Sequence, residues 1–531
     1  MDASDQAAVT PKQGRAAAAL MAVLFTLPAL FLFCLMTLAL GTFLPPVGSV
    51  ANLSVSFMIS ALLTTLFNYL ILGKTGPKPG AGAPGRGTRG RGLALGALGL
   101  LAIICYVVLT VVHAHWHNQA DMARRGLTLK GFPMSLAELQ ENLPDSQYAY
   151  PALVKAVEND FDPAFYNKIT HAAGGTAAWT AETARTEAEY AAHYAPYLEK
   201  QLAPLLKQKY PRYMKMNYAQ VSQDPLKAPF PKLGNITAIA KAAKLCAIWR
   251  AREGNTEKAW ELVRLQFSLA GILANEKALL SKMVTLAVRG QGVEAAAGIL
   301  LNRPGAAIPR DIIPLLTEAS DGNLAGEGLK AELAYQNDLY NFMHRVDFRR
   351  FRELGGISGI LLSTLDDTGG AGLRMEYLAF SLLLRLGVID LNSLAAAGYF
   401  STIAEPGPWA QVSERSRQAE TRVNNLPSWP FILAKFSLPS FSSLQKREFE
   451  VQARARLTLA CGELLRYRRE HGKYPKRLSE VNSKEISPDV FSGGEFSYKP
   501  AAGGGFDLCS SGPAGDSKDI SGKDLCIRQR S

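Results

Sequence analysis

Between two long apolar runs lies Lys74–Gly92, KTGPKPGAGAPGRGTRGRG, rich in glycine and proline, with five cations (Lys74, Lys78, Arg86, Arg89, Arg91) and no acid. A helix needs about 20 residues to cross a hydrocarbon core. Ala16–Leu44, Leu53–Leu72 and Leu93–Val112 carry no charge and are rich in Leu, Ala, Phe and Val, so three membrane spans are expected. The apolar region of a cleaved signal peptide runs about 7–15 residues, shorter than the first of these runs. Cytoplasmic loops retain Lys and Arg because cations resist translocation. Residues 73–92 therefore face the cytoplasm, and their five cations are the topology determinants. The uncharged connection Pro45–Asn52 faces outward, and the tail 1–15, with Lys12 and Arg15, stays inside. Everything after Val112 is then delivered across the bilayer. Glycine and proline make the basic loop a flexible tether whose cations can touch anionic headgroups.

Charge, divided along the chain, excludes a second reading. The net +12 suggests a nucleic-acid partner, but residues 1–120 hold seven of the 58 cations and two of the 46 acids, +5 in all. The remaining 411 residues carry 51 cations against 44 acids, a mixed surface rather than the clustered footprint nucleic acid requires. At about 150 residues per domain, 531 residues make three or four units.

Where the third span ends stands His113-Ala-His115-Trp116-His117. Alternate histidines can ligate zinc or copper on an extended backbone, but two residues apart on a continuing helix they point to different faces. A polar and aromatic collar at the membrane surface accounts for them without metal.

Residues 126–440 read as a helical domain. Ser135 and Glu138 form a capping box, and Met134 with Leu139 supplies a hydrophobic staple, so a helix should begin there. Residues 176–210 are Ala-, Glu- and Tyr-rich and helical, with interruptions expected at Pro196 and Pro204. Trp260, Val263, Phe267, Ala270 and Ala274 make one helical stripe after a helix at Ile236–Arg252 and the turn Glu253-Gly254-Asn255, giving a helical hairpin. Its sequence AREGNTEKAWEL resembles a tetratricopeptide-type turn and second helix. No second copy follows at about 34 residues, so the expectation is a bundle or irregular solenoid. Further helices are expected over 276–301, 308–320 and 325–352. Leu378–Leu386 is apolar, but Arg374, Glu376, Arg385 and Asp390 leave too short a window for a span, and it reads as core.

Residues 450–531 form a last unit. Ala453, Leu457, Ala460, Leu464 and Tyr467 align on one face of an amphipathic helix, which Gly472 and Pro475 end. Strands are expected at Glu495–Lys499, Gly505–Cys509 and Asp524–Arg528. The runs YRREHGKYPKRLSEV, SPDVFSGGEFSYKP, GGGFDLCSSGPAGDSKD and KDLCI resemble the globular end of the major pseudopilins of type II secretion systems. Together with ANEKALLSKMVTLAVRGQGVEAAAGILL and FPMSLAEL they are similar to uncharacterised bacterial envelope proteins that append this fold to a helical region. The resemblance implies a mainly α protein: three N-terminal transmembrane helices in the bacterial inner membrane, an extracytoplasmic helical domain, and a small α+β domain with a short antiparallel sheet.

Pseudopilins hold calcium in the loop between their last strands, here Ser510–Lys523. The resemblance offers Asp516, Asp519 and Asp524 as ligands, with Ala514 where the family pattern has an aspartate after Gly-Pro. Cys509 and Cys526 flank that loop on adjacent strands. In an oxidising compartment a disulfide between them would close it in place of the ion, worth roughly 3 kcal/mol by chain entropy; two reduced, buried thiols are the alternative. Cys246 and Cys461 read as core thiols.

Catalytic signatures fail on spacing. Gly515–Asp524 lacks the glycine pattern and the Ser or Thr of a phosphate loop, and Gly356-Ile-Ser358-Gly359 is one residue short of a nucleophile elbow. Asp366-Asp367, and Asp160 with Asp162, read as solvated acids. His171, His193, His344 and His471 have no partner in the sequence. The chain therefore reads as a non-enzymatic membrane-anchored scaffold or protein-interaction protein. The alternatives are an accessory of a type II secretion or pilus-like machine, and a hydrolase whose site assembles only in three dimensions.

Overall fold

One helix, Ser442–His471, is the axis of the fold. Its sequence is dominated by Ala, Leu, Arg, Glu and Gln, the residues that lose least on entering a helix. It stops where Gly472 adopts φ +72°, a left-handed conformation glycine tolerates without a Cβ clash. The computed structural model describes residues 86–161, 181–208, 210–227, 233–345, 386–428, 430–438, 441–481, 486–501, 504–514 and 525–529. The chain divides into two compact units, Met1–Val111 and Val112–Ser531.

The described helices used below are α1 (Arg86–Leu129), α2 (Ala181–Tyr197), α3 (Gly234–Arg252), α4 (Thr256–Ala274), α5 (Leu279–Asn302), α6 (Ile312–Asp321), α7 (Leu324–Arg345), α8 (Val388–Ile403), α9 (Trp409–Asn425) and α10 (Ser442–His471). Three strands follow: β1 (Ser497–Ala501), β2 (Gly505–Cys509) and β3 (Cys526–Gln529), an antiparallel sheet in the order β1-β2-β3. The fold is mainly helical with this small sheet at its C-terminal end.

The hairpin α3–α4 forms because Gly254, at φ +89°, reverses the chain and the Asn255 side chain accepts from the Lys258 amide at 3.3 Å. Ala259 and Val263 are wholly buried where α4 meets its neighbours. Helix α5 lies against both, and at Gly298 it comes so near α3 that a Cβ would stand 2.7 Å from Ile248 Cγ1. Among the described residues α5 alone is long and apolar enough to cross a membrane, yet 56% of its most apolar window is buried inside the protein. It also carries Lys282, Arg289 and Glu294. Packing makes it a core helix.

The expectation of a one-faced amphipathic helix at α10 is corrected. Ala453, Ala455, Leu457, Leu459, Ala460, Cys461, Leu464 and Leu465 are all at most 4% exposed, because α5 and α6 cover one side and the sheet the other. Two of its arginines also bond neighbouring backbone, Arg456 to Pro488 O at 2.6 Å and Arg469 to Gly305 O at 3.0 Å, while Arg466 pairs with Glu463 and stays half exposed. Phe506, Leu508 and Ile527 of the sheet belong to the same apolar core as Trp260, Ile299 and Leu316 of the helical hairpins and α6. A second core gathers Leu329, Leu333, Phe400, Tyr399 and Phe441 between α7, α8 and the start of α10.

Three local expectations change. Residues 86–92, assigned to the basic loop, begin α1, so Arg86, Arg89 and Arg91 are on a helix that continues without a break past the histidine collar to Leu129. At FPMSLAEL only a 3-10 turn forms, Leu136–Leu139. Ser135 accepts from Ala137 N as a cap does, but Glu138 reaches Met134 N, and the turn's first amide donates to Asp338 at 2.7 Å instead of to its own capping box. Pro196 lies inside α2 without ending it; the hydrogen bond it cannot donate is absorbed by a π-helical turn, Leu198–Leu202, before Pro204 opens the next α-helical turn. Lys74, Lys78 and the runs 16–44 and 53–72 lie outside the described residues, as do Asp366, Asp367, His171 and residues 378–385.

Candidate functional sites

Cys509 and Cys526 face each other across β2 and β3 in register, their Cα atoms 4.1 Å apart, and are joined by a disulfide. Cys246 and Cys461 are reduced and enclosed by apolar side chains, and burial pushes both thiols up to about 12. Intact mass after alkylation without reductant should leave Cys509 and Cys526 unlabelled in protein isolated from cells; labelling of both would show that the pair is not bonded in the cell.

Asp516, Asp519 and Asp524 lie outside the described residues. What organises the described start of their loop is Asp489, a residue that no sequence motif singled out. Its carboxylate is 1% exposed and accepts from Ser510 Oγ at 2.7 Å, Ser511 N at 2.8 Å and Ser511 Oγ at 2.7 Å. Burial alone raises such a group; the serine donors outweigh it and hold Asp489 below the ordinary carboxylate range. It is thereby an ionised anchor for the strand exit.

A cleft of about 460 Å³ opens where α7, α8, α10 and the segment around Asp489 meet. Its polar lining is engaged in holding the fold. Glu448 accepts from the amides of Leu324 and Ala325, the first turn of α7, so α10 caps α7 through a side chain. Gln452 donates to Gly322 O at 2.7 Å, and Gln445 bridges Ile403 O and Ser416. Burial pushes Glu448 up to about 7 despite those amides.

A different arrangement appears on the second half of α1. Because the helix continues, His113 and His117, four residues apart, share a face, while His115 turns to solvent against Trp116, ring centroids 5.0 Å apart. His344, in the last turn of α7, joins them, and the three rings surround Asp390 in the first turn of α8. Gly387, at φ +66°, sets the entry to α8, its Cα so close to α1 that a Cβ would stand 3.3 Å from Trp116 Cβ. His117 Nδ1, His344 Nε2 and His113 Nδ1 stand 3.1, 3.4 and 3.7 Å from the Asp390 carboxylate oxygens, and Arg124 stands 3.8 Å away, itself paired with Asp121 at 2.8 Å. Asp390 is fully buried, whereas the side chains of His113 and His117 are 38% and 47% exposed, so the cluster is closed at its base and open at its mouth. Burial raises the Asp390 carboxyl, and the imidazoles of His344 and His117 more than reverse this, holding it below the ordinary range. The sequence showed His344 without a partner and Asp390 only as the charge bounding an apolar run. The i, i+4 spacing of His113 and His117 was the signal available, and it becomes one only on a helix that does not end at residue 112.

Searches against family models, characterised proteins and solved structures return no match.

Proposed function

We infer that this chain is a membrane-anchored scaffold that presents a rigid helical body, and the small sheet docked on it, to protein partners outside the cytoplasm. One observation carries the reading: Phe506, Leu508 and Ile527 are buried in the same core as the α3–α5 hairpins, which leaves the tail a fixed part of one body rather than a tethered module. Such a body suits a binding surface, since association costs less when the surface is already ordered. The polar groups of the large cleft named above bond within the protein, which favours a structural use of that cleft. The extracytoplasmic side follows from the positive-inside asymmetry around residues 74–91 and agrees with a bonded cysteine pair in the tail. The bacterial inner membrane and three spans, with the N-terminus in the cytoplasm, complete the reading.

A secretion-system or pilus accessory is the second reading. The sequence runs of the tail quoted above, which resemble a pseudopilin, support it, and loss of secreted proteins on deletion of the gene would favour it over the scaffold. For the scaffold, crosslinking mass spectrometry in intact membranes should return reproducible neighbours of residues 126–440. A phosphatase reporter fused after Ser531 should be active, because that enzyme folds only outside the cytoplasm. A silent phosphatase with a fluorescent cytosolic reporter at the same place would overturn the compartment and the scaffold as described.

A further inference from the structure

We propose that His113, His117, His344 and Asp390 form a binding site for a divalent transition cation of the zinc class, a three-imidazole, one-carboxylate centre that ties α1 to α7 and α8. Zinc binds imidazole nitrogen at about 2.0–2.1 Å and carboxylate oxygen at about 2.0–2.2 Å in tetrahedral geometry, which puts neighbouring ligand atoms roughly 3.3–3.5 Å apart. His117 Nδ1 and His344 Nε2 stand 3.1 and 3.4 Å from Asp390 Oδ1, close to that tetrahedral edge, while His113 Nδ1 stands 3.7 Å from the other oxygen, Oδ2. These contacts are long or misdirected for hydrogen bonds in two of the three cases. His113 Nδ1, His344 Nε2 and Asp390 Oδ2 are buried and make no hydrogen bond. Three unpaired polar atoms turned to one buried point are costly one by one; a single cation among them satisfies all three.

The surroundings have the form a bound cation needs. His117 turns Nδ1 to Asp390 and Nε2 to Asp121 Oδ2 at 3.6 Å, and a carboxylate behind a ligating histidine fixes its tautomer and raises its basicity. Arg124 is neutralised by Asp121, so its charge does not stand alone against an incoming cation. The exposed rims of His113 and His117 give an entry path. Nitrogen and oxygen donors without thiolate suit zinc and its neighbours rather than calcium, which takes six to eight oxygens. Among the described residues no group of three or more His, Cys, Asp or Glu already stands in metal-holding geometry, so this cluster must close around the ion to bind it. The ring centroids, 6.0, 6.2 and 6.4 Å apart, must draw in by roughly an ångström for tetrahedral ligation, a rotamer adjustment for side chains on three separate helices.

The test uses the full chain in detergent, stripped with a chelator and titrated with Co²⁺. One Co²⁺ per chain should bind, with the intense visible bands of a tetrahedral ion, and Zn²⁺ should displace it. His344→Ala and Asp390→Asn should each weaken binding at least about 10- to 100-fold, the loss known for the milder removal of an outer partner. His115→Ala, on the same helix but outside the cluster, should bind as wild type does. Because Asp390→Asn removes a buried charge and can disturb folding, His117→Cys gives an independent readout. A thiolate at that position should keep the ion and add a ligand-to-metal charge-transfer band that no structural effect produces. Absence of a stoichiometric tetrahedral Co²⁺ spectrum in the wild type would overturn the site. So would binding unchanged in His344→Ala and Asp390→Asn, or lost equally in His115→Ala.

Discussion

Replacing Phe506 by alanine lowers the unfolding free energy by about 3–5 kcal/mol, and it does so for the helical body as well as the sheet. Phe506 is fully buried near the start of β2, paired with Gln529 of β3, with Tyr474 edge-on at 5.1 Å and Tyr498 at 6.2 Å between ring centroids. Truncating it removes the transfer free energy of the ring and leaves a hole that the sheet, fixed to α10, cannot collapse into. The informative part is the number of transitions. If the tail shares its core with α3–α6, denaturation followed by tryptophans of the helical body, Trp249 and Trp260 among them, shifts to lower denaturant as a single step along with near-ultraviolet signals of the sheet tyrosines. A variant in which the tyrosine signal melts early while Trp260 keeps the wild-type midpoint would show a separable tail and remove the physical basis of the scaffold reading.

That shared core also explains which parts of the fold were legible in the sequence. The α3–α4 hairpin was readable because its information is local: a turn glycine, an asparagine cap and a stripe at helical spacing all lie within about forty residues. The strands were readable for the same reason, with Gly505 and Cys509 bounding β2 as expected. Helix α10 reads as one-faced in sequence because its polar side chains outnumber its apolar ones. Only the tertiary structure shows Gln445, Glu448, Gln452 and Arg456 bonding to backbone groups of α6, α7 and α8. The histidine cluster is the extreme case. One of its links joins His117 to Asp390 across 273 positions, and no local pattern encodes such a pair. Pro196 errs in the other direction: a proline that local rules take as a break is tolerated because a π turn and the buried packing of Tyr190, Tyr194 and Leu198 hold the helix together.

Between pH 5 and pH 8 the protein loses stability, and Glu448→Gln removes roughly 3 kcal/mol of that loss. Glu448 has a folded pKa of about 7 against an ordinary 4.5, chiefly because burial penalises its charge. Below pH 4.5 it is protonated in both states and contributes no pH dependence. From 4.5 upward the unfolded chain ionises first and the folded one does not, so the folded state binds more protons and stability falls as pH rises. The fall is complete above about pH 7, and a gap of about 2.5 units at 1.36 kcal/mol each gives its size. Glutamine keeps an oxygen for the amides of Leu324 and Ala325 while losing the titration, so the helix cap survives and the pH dependence does not. Comparing slopes isolates this group, since Asp390 and Asp489 are held below the ordinary carboxylate range and complete their titration below the window. Other buried acids raised by desolvation, such as Glu276 and Asp338, slope the same way in both proteins and cancel. Denaturation midpoints of wild type and Glu448→Gln at pH 5 and pH 8 give the answer directly: lines that run parallel would mean that Glu448 is already ionised when folded, with α7 capped by a charge that Arg289 and the helix dipole stabilise more than burial opposes.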